Sequence, residues 1–111
     1  MLRRPATPAS RHHVHMDRDA VIQLLVQHKP VLAQRFGVLT LALFGSVARG
    51  TARVDSDVDV LVAFDGAADA DRYFGVQFYL EDLLGRPVDL VTEKALRKRL
   101  RPYIERDAIA I

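Results

Sequence analysis

Leu-Phe-Gly-Ser-Val-Ala-Arg-Gly-Thr-Ala-Arg-Val-Asp-Ser-Asp-Val-Asp-Val-Leu-Val, residues 43–62, places a Gly45-Ser46 turn ten residues ahead of Asp57, with Asp59 two further on. An apolar run, Leu39 to Phe44, leads into the turn. After it, Asp57-Val58-Asp59-Val60-Leu61-Val62 alternates acid with apolar and then becomes wholly apolar. That pattern fits a strand buried along most of its length with one end open to a cleft. Residues two apart share a strand face, so Asp57 and Asp59 point the same way and Val58 and Val60 point into the opposite layer. Two carboxylates on one face beside a Gly-Ser turn suit hard divalent cations shared with substrate phosphates, and Mg²⁺ is the expected ion.

Working outward, Asp17 to Phe36 has helical spacing, with Val21, Leu24, Leu25, His28, Leu32 and Phe36 near one face and Asp17 or Asp19 placed to cap the start. Pro30 is expected to kink or restart this helix, and Gly37 to end it. Val38 to Phe44 is the first strand, apolar enough to lie centrally in a sheet. Ser46 to Arg49 reads as a helical turn, Thr51 to Ser56 as a polar loop and Asp57 to Phe64 as the second strand. Asp69 to Leu84 returns to helical spacing, with Tyr73, Val76, Gln77, Leu80, Leu83 and Leu84 along one stripe before Gly85. Phe74, Phe78 and Tyr79 widen that apolar surface, as a second core contact or a partner face. Val88 to Val91 is a short third strand in which Asp89 is the only charge. Thr92-Glu93 opens a helix through a basic run to Arg101, and Ala108 to Ile111 closes the chain as an edge strand. The expected fold class is α/β (α+β), a small mixed sheet of about four strands flanked by helices.

The 111 residues are 50% hydrophobic and 27% charged, which allows one domain with one modest core. Met1 to His15 holds three arginines, three histidines and two prolines, too little apolar surface to offset the entropy of ordering. A disordered tail over residues 1–15 and a folded domain over 16–111 are therefore expected. Of 16 Lys and Arg, three lie in the tail, and the remaining thirteen face 14 acids, so the folded part is near neutral. This argues against nucleic acid as the direct substrate. There is no cysteine, which excludes disulfides and thiolate metal sites. No apolar run approaches the roughly 20 residues of a membrane span, and a soluble, cytoplasmic protein is expected.

A nucleotidyl-transfer site needs donors for a triphosphate, metal ions and carboxylates to hold them. Gly45 lets the backbone approach a phosphate, the amides of Ser46 and Val47 favour an anion, and the Ser46 hydroxyl adds a hydrogen bond. Asp57 and Asp59 can bridge two metals about 4 Å apart. Asp89 can complete the first metal's shell and accept the nucleophile's proton. Alone, Gly-Ser is only a turn, Asp-x-Asp a polar strand end and a single strand Asp a loop cap. Their joint order on a strand-turn-strand frame is far more specific.

Gly45-Ser46, ten residues and Asp57-Val58-Asp59 resemble, without a gap, the motif of the minimal nucleotidyltransferases of the DNA polymerase beta superfamily, and Val-Asp-Leu-Val around Asp89 is similar to the strand carrying that family's third acid. The likeness spans Asp17 to Ile111. It implies a palm-like nucleotidyltransferase fold in which Gly45 and Ser46 hold the triphosphate, Asp57, Asp59 and Asp89 are catalytic and hold two Mg²⁺ ions, and ATP is the substrate. Arg49 is the motif's arginine, either on a phosphate or in a salt bridge with Asp55 or Asp57. The resemblance further implies the antitoxin half of a toxin–antitoxin pair, moving AMP to a tyrosine of an all-helical HEPN-type ribonuclease toxin. Two other functions remain open on the residues: transfer to a small hydroxylated molecule such as an aminoglycoside, and an antitoxin that acts by binding alone.

Overall fold

The computed structural model describes residues 17–53, 56–96 and 107–111. The expected tail, residues 1–15, lies outside them, as do Asp55 and the basic stretch from Arg97 to Arg106. Helix α1 (Arg18–Phe36) begins where the Asp17 carboxylate accepts from the Ala20 N–H at 2.9 Å, the N-cap bond that satisfies an otherwise orphaned donor. It ends at Gly37, whose φ of 72° lets its N–H turn back to the Ala33 and Leu32 carbonyls. Pro30 neither ends nor restarts the helix. The hydrogen bond that proline cannot make falls at the Val26 carbonyl, and Val26 and Pro30 are both solvent-exposed, where water can take the freed acceptor.

Strand β1 (Val38–Phe44) follows, then a five-residue helix α2 (Gly45–Arg49), strand β2 (Val58–Phe64), helix α3 (Ala70–Leu84), strand β3 (Val88–Thr92), helix α4 (Glu93–Leu96) and the two-residue strand β4 (Ile109–Ala110). The sheet order is β3-β2-β1-β4, so β1 is interior, in keeping with a sequence that is apolar at every position but Thr40. β1 runs antiparallel to β2 and β4, and β2 runs parallel to β3 with α3 as the crossover. Asp69 caps α3 by accepting from the Arg72 N–H at 2.9 Å, and Gly85 closes it.

The pleat divides the sheet into two faces. Val58, Val60, Val62 and Phe64 of β2, with Leu41 and Leu43 of β1, join Val21, Leu25 and Leu32 of α1 and Val76, Leu80 and Leu84 of α3 in the main core. Each fully buried Leu or Val here contributes about 1.5–3 kcal/mol. Leu61 and Phe44 face the other way, forming a small cluster with Ala42, Val91 and Ala108. Asp59 belongs to this second face by alternation with Val58 and Val60, which leaves it beside the sheet and outside the main core.

Candidate active site

Three strands bring the site together at one end of the sheet. Phe44, the last residue of β1, pairs with Asp59 on β2, and Asp59 pairs with Asp89 on β3. In a parallel pair, residues in register present their side chains on the same face, so the Asp59 and Asp89 carboxyls come within hydrogen-bonding distance of each other. Gly45 starts α2 directly after Phe44 with a φ of 76°, and an added Cβ would lie 1.9 Å from Asp59 Oδ2. Glycine is thus required at this position twice over: for the left-handed backbone and for the space the aspartate occupies. The Gly-Ser turn and the distant Asp-x-Asp are two sides of one contact.

The electrostatics follow from that crowding. Burial, then the Asp89 charge, then the Asp57 charge and the Asp89 hydrogen bond push the Asp59 carboxyl from 3.8 up to about 6, and the Arg49 guanidinium offsets them in part. Such a cluster of like charges is what a cation would neutralise. Asp57 differs from its expected placement. Strand β2 begins at Val58, so Asp57 sits one residue outside it, solvent-exposed at the mouth of the site. Its location is set by the loop before it: Arg53 N–H donates to Ser56 Oγ at 2.8 Å, Ser56 N–H returns to Arg53 O at 3.0 Å, and Arg86 donates to the carbonyls of both residues.

Among the described residues, no three carboxylates or histidines form a ready-made cation cage. The donor set nevertheless fits Mg²⁺, which is usually held by one or two carboxylates together with substrate phosphates and water. Asp59 and Asp89 supply such a pair, with Asp57 adjacent. Ser46 is half-buried in the first turn of α2, and that helix ends in a doubly bonded glycine turn, with Gly50 N–H donating to Val47 O at 3.1 Å and Thr51 N–H to Ser46 O at 2.9 Å.

Arg49 does not pair with Asp57 here. Its Nη1 donates to Asp107 Oδ2 at 2.9 Å, tying α2 to the segment entering β4. The physical reason is the sheet order, which sets β4 beside β1 and so brings Asp107 to the end of α2. Two further contributors escape a reading of the sequence. Arg86 holds the loop ahead of Asp57, and the Tyr73 hydroxyl donates to the Leu90 carbonyl next to Asp89. Burial, followed by the Asp89 charge, raises the Tyr73 phenol above its ordinary 10.0. Tyr73 was visible in sequence only as one more residue in the apolar stripe.

Residues 25–111 match the nucleotidyltransferase domain family. Over 93 residues, 84% of this chain and 94% of the relative, the sequence is 37% identical to the protein adenylyltransferase MntA of Thermococcus cleftensis. A solved minimal nucleotidyltransferase superposes with a TM-score of 0.69 at 41% identity, covering 87% of this chain and 98% of the other. At 20% identity the likeness is one of fold alone to a chain from the complex of a tri-AMPylated Shewanella oneidensis HEPN toxin with its MNT antitoxin, with a TM-score of 0.53 over 84% of this chain and 66% of that one. With its Gly-Ser turn packed against the second acid of an Asp-x-Asp strand on a four-stranded mixed sheet, the chain belongs to the nucleotidyltransferase domain family, among its minimal members.

Proposed function

We propose that the chain is a Mg²⁺-dependent protein adenylyltransferase that acts as an antitoxin, transferring AMP from ATP to a tyrosine of a cognate HEPN-type toxin. The observation that carries this reading is the contact of Asp59 with both the Asp89 carboxyl and the Gly45 backbone. It puts acid ligands within reach of a phosphate-binding turn. The name of the Thermococcus cleftensis relative and the AMPylated toxin in the Shewanella oneidensis complex support the donor group and the class of acceptor.

In this reading Gly45 and Ser46 hold the triphosphate through backbone amides and the Ser46 hydroxyl. Asp57, Asp59 and Asp89 are the metal-binding and catalytic carboxylates. Bound Mg²⁺ supplies charge neutralisation at the triphosphate and at the attacking oxygen. The tyrosine oxygen forms a bond to the α-phosphorus, the bond from that phosphorus to the α–β bridging oxygen breaks, and pyrophosphate leaves. Asp89, the more exposed member of the pair, takes the phenolic proton. Arg49, anchored by Asp107, directs positive charge toward the same end of the sheet, where the triphosphate would lie. The reading also takes the reaction to be cytoplasmic and its acceptor to be a protein, with neither nucleic acid nor membrane as substrate.

The test is intact-mass spectrometry of the cognate HEPN toxin after incubation with the protein, ATP and Mg²⁺. The expected gain is one AMP or a multiple of it, mapped to a tyrosine, and lost with Asp57→Asn and with Asp59→Asn while the circular dichroism spectrum is retained. An unchanged toxin mass at high enzyme concentration refutes transfer. Full protection of cells by Asp59→Asn would instead make binding the neutralising event.

A further inference from the structure

Among the described residues, strand β3, which carries Asp89, is an edge strand five residues long, paired only with β2. Such an edge has a row of backbone groups without a strand partner and is the part of a sheet that opens most readily. The Pro87 carbonyl accepts from the Val58 N–H on β2 at 3.0 Å. Since backbone groups alternate in direction along a strand, those of Val88 and Leu90 point away from β2, toward the free edge.

All but one of those groups are met by side chains from α3. Glu81 Oε2 accepts from the Val88 N–H at 3.0 Å, Gln77 Nε2 donates to the Val88 carbonyl at 3.3 Å, and the Tyr73 hydroxyl donates to the Leu90 carbonyl. Residues 73, 77 and 81 are spaced four apart, so they rise along one face of the helix as a row. Asp89 lies between the two residues so held. Resting on the assignment of Asp89 to the transfer site, we propose that Tyr73, Gln77 and Glu81 serve as a substitute strand that closes the edge of β3 and are positioning residues for the Asp89 carboxylate beside Asp59.

The row matches its targets in chemistry as well as spacing. The backbone N–H meets an acceptor that cannot donate, and the two carbonyls meet donors. A row chosen for packing alone would need no such order. Asp89 is exposed on the opposite face and is gripped by none of these side chains directly, so the effect passes through the backbone of its two neighbours.

The test uses the whole chain and four variants. Tyr73→Phe keeps the ring and loses only the hydroxyl, and Glu81→Ala loses the acceptor. Glu81→Gln keeps an acceptor oxygen for the Val88 N–H, and Val76→Ala weakens the buried core on the same helix without touching the row. Two readouts are taken well below every variant's melting temperature. In amide hydrogen exchange, Tyr73→Phe and Glu81→Ala should speed exchange in β3 at Asp89 and Val91 while Leu41 and Leu43 in β1 keep their wild-type rates. In transfer of labelled AMP from ATP to the cognate HEPN toxin, the same two variants should lose about tenfold or more in kcat, the usual cost of losing an orienting partner, with the KM for ATP unchanged. Glu81→Gln should recover most of the rate, and Val76→Ala should keep it.

Exchange in β3 that rises only in step with β1, or selective opening of β3 with kcat unaltered, overturns the proposal. So does a kcat loss in Val76→Ala equal to that in Tyr73→Phe, since it would mark general destabilisation. If the wild-type protein transfers no AMP, the proposed function fails, and the exchange comparison alone then decides whether the row closes the edge.

Discussion

Replacing Asp89 by asparagine should make the protein more stable at neutral pH while removing its activity. In the native state the Asp59 carboxyl titrates at about 6 against an ordinary 3.8, so the folded protein holds that proton more tightly than the unfolded chain does. The resulting stabilisation is fully present below about pH 3.8 and is lost as pH rises through about 6, so the native state bears the whole cost at pH 7 and above. A shift of that size corresponds at most to about 3 kcal/mol. The carboxyl is only partly buried, so solvent screening reduces this to about 1–2 kcal/mol. Burial is the largest cause and survives the mutation. The Asp89 charge is the second cause and disappears, and an asparagine amide in its place can donate to the ionised Asp59. Relief of about 1 kcal/mol is therefore expected at pH 8, which for a domain of this size raises Tm by about 4 °C or somewhat more. At pH 4, where Asp59 is largely protonated in both proteins, the two should melt nearly together. The assay is thermal unfolding by circular dichroism between pH 4 and pH 8, without divalent cations. The same variant should lose AMP transfer, and Mg²⁺ should raise its Tm less than that of the wild type. A variant at pH 8 that melts with or below the wild type, or that gains as much at pH 4, would refute the account of Asp59 and Asp89 as a repelling pair.

Two other outcomes follow from contacts around the same turn. Gly45→Ala should destabilise the protein by about 1–3 kcal/mol and displace the Asp59 side chain, because the new methyl meets a carboxylate oxygen and the residue must hold a positive φ; a wild-type Tm with normal transfer would show that the turn is not packed against Asp59. Arg49→Ala should change stability by no more than about 1 kcal/mol, since the Arg49–Asp107 pair is substantially exposed, yet raise the KM for ATP several-fold. An unaltered KM would confine Arg49 to tying α2 to the chain ahead of β4.

Taken alone, the sequence determined those features that depend on neighbours a few residues away. The cap of the first helix, narrowed by sequence to Asp17 or Asp19 and found at Asp17, is a bond from a side chain to an N–H three residues on, and the helix stops at Gly37 and Gly85 need only a residue that accepts positive φ. The limits of β1 and the direction of Val58 and Val60 came from apolar runs and alternation, and the spacing from Gly45-Ser46 to Asp57 and Asp59 marked out the candidate site whose phosphate and metal roles are proposed above. What the sequence could not supply was the meeting of distant strands. That Asp89 stands beside Asp59 depends on β3 pairing parallel with β2, that Arg49 finds Asp107 depends on β4 lying next to β1, and that Tyr73, Gln77 and Glu81 reach the edge of β3 depends on how α3 crosses over the sheet. Local periodicity marks which face of an element is buried. Which element it is buried against is decided only when the chain closes its long-range contacts, and in this protein those contacts build the carboxylate pair.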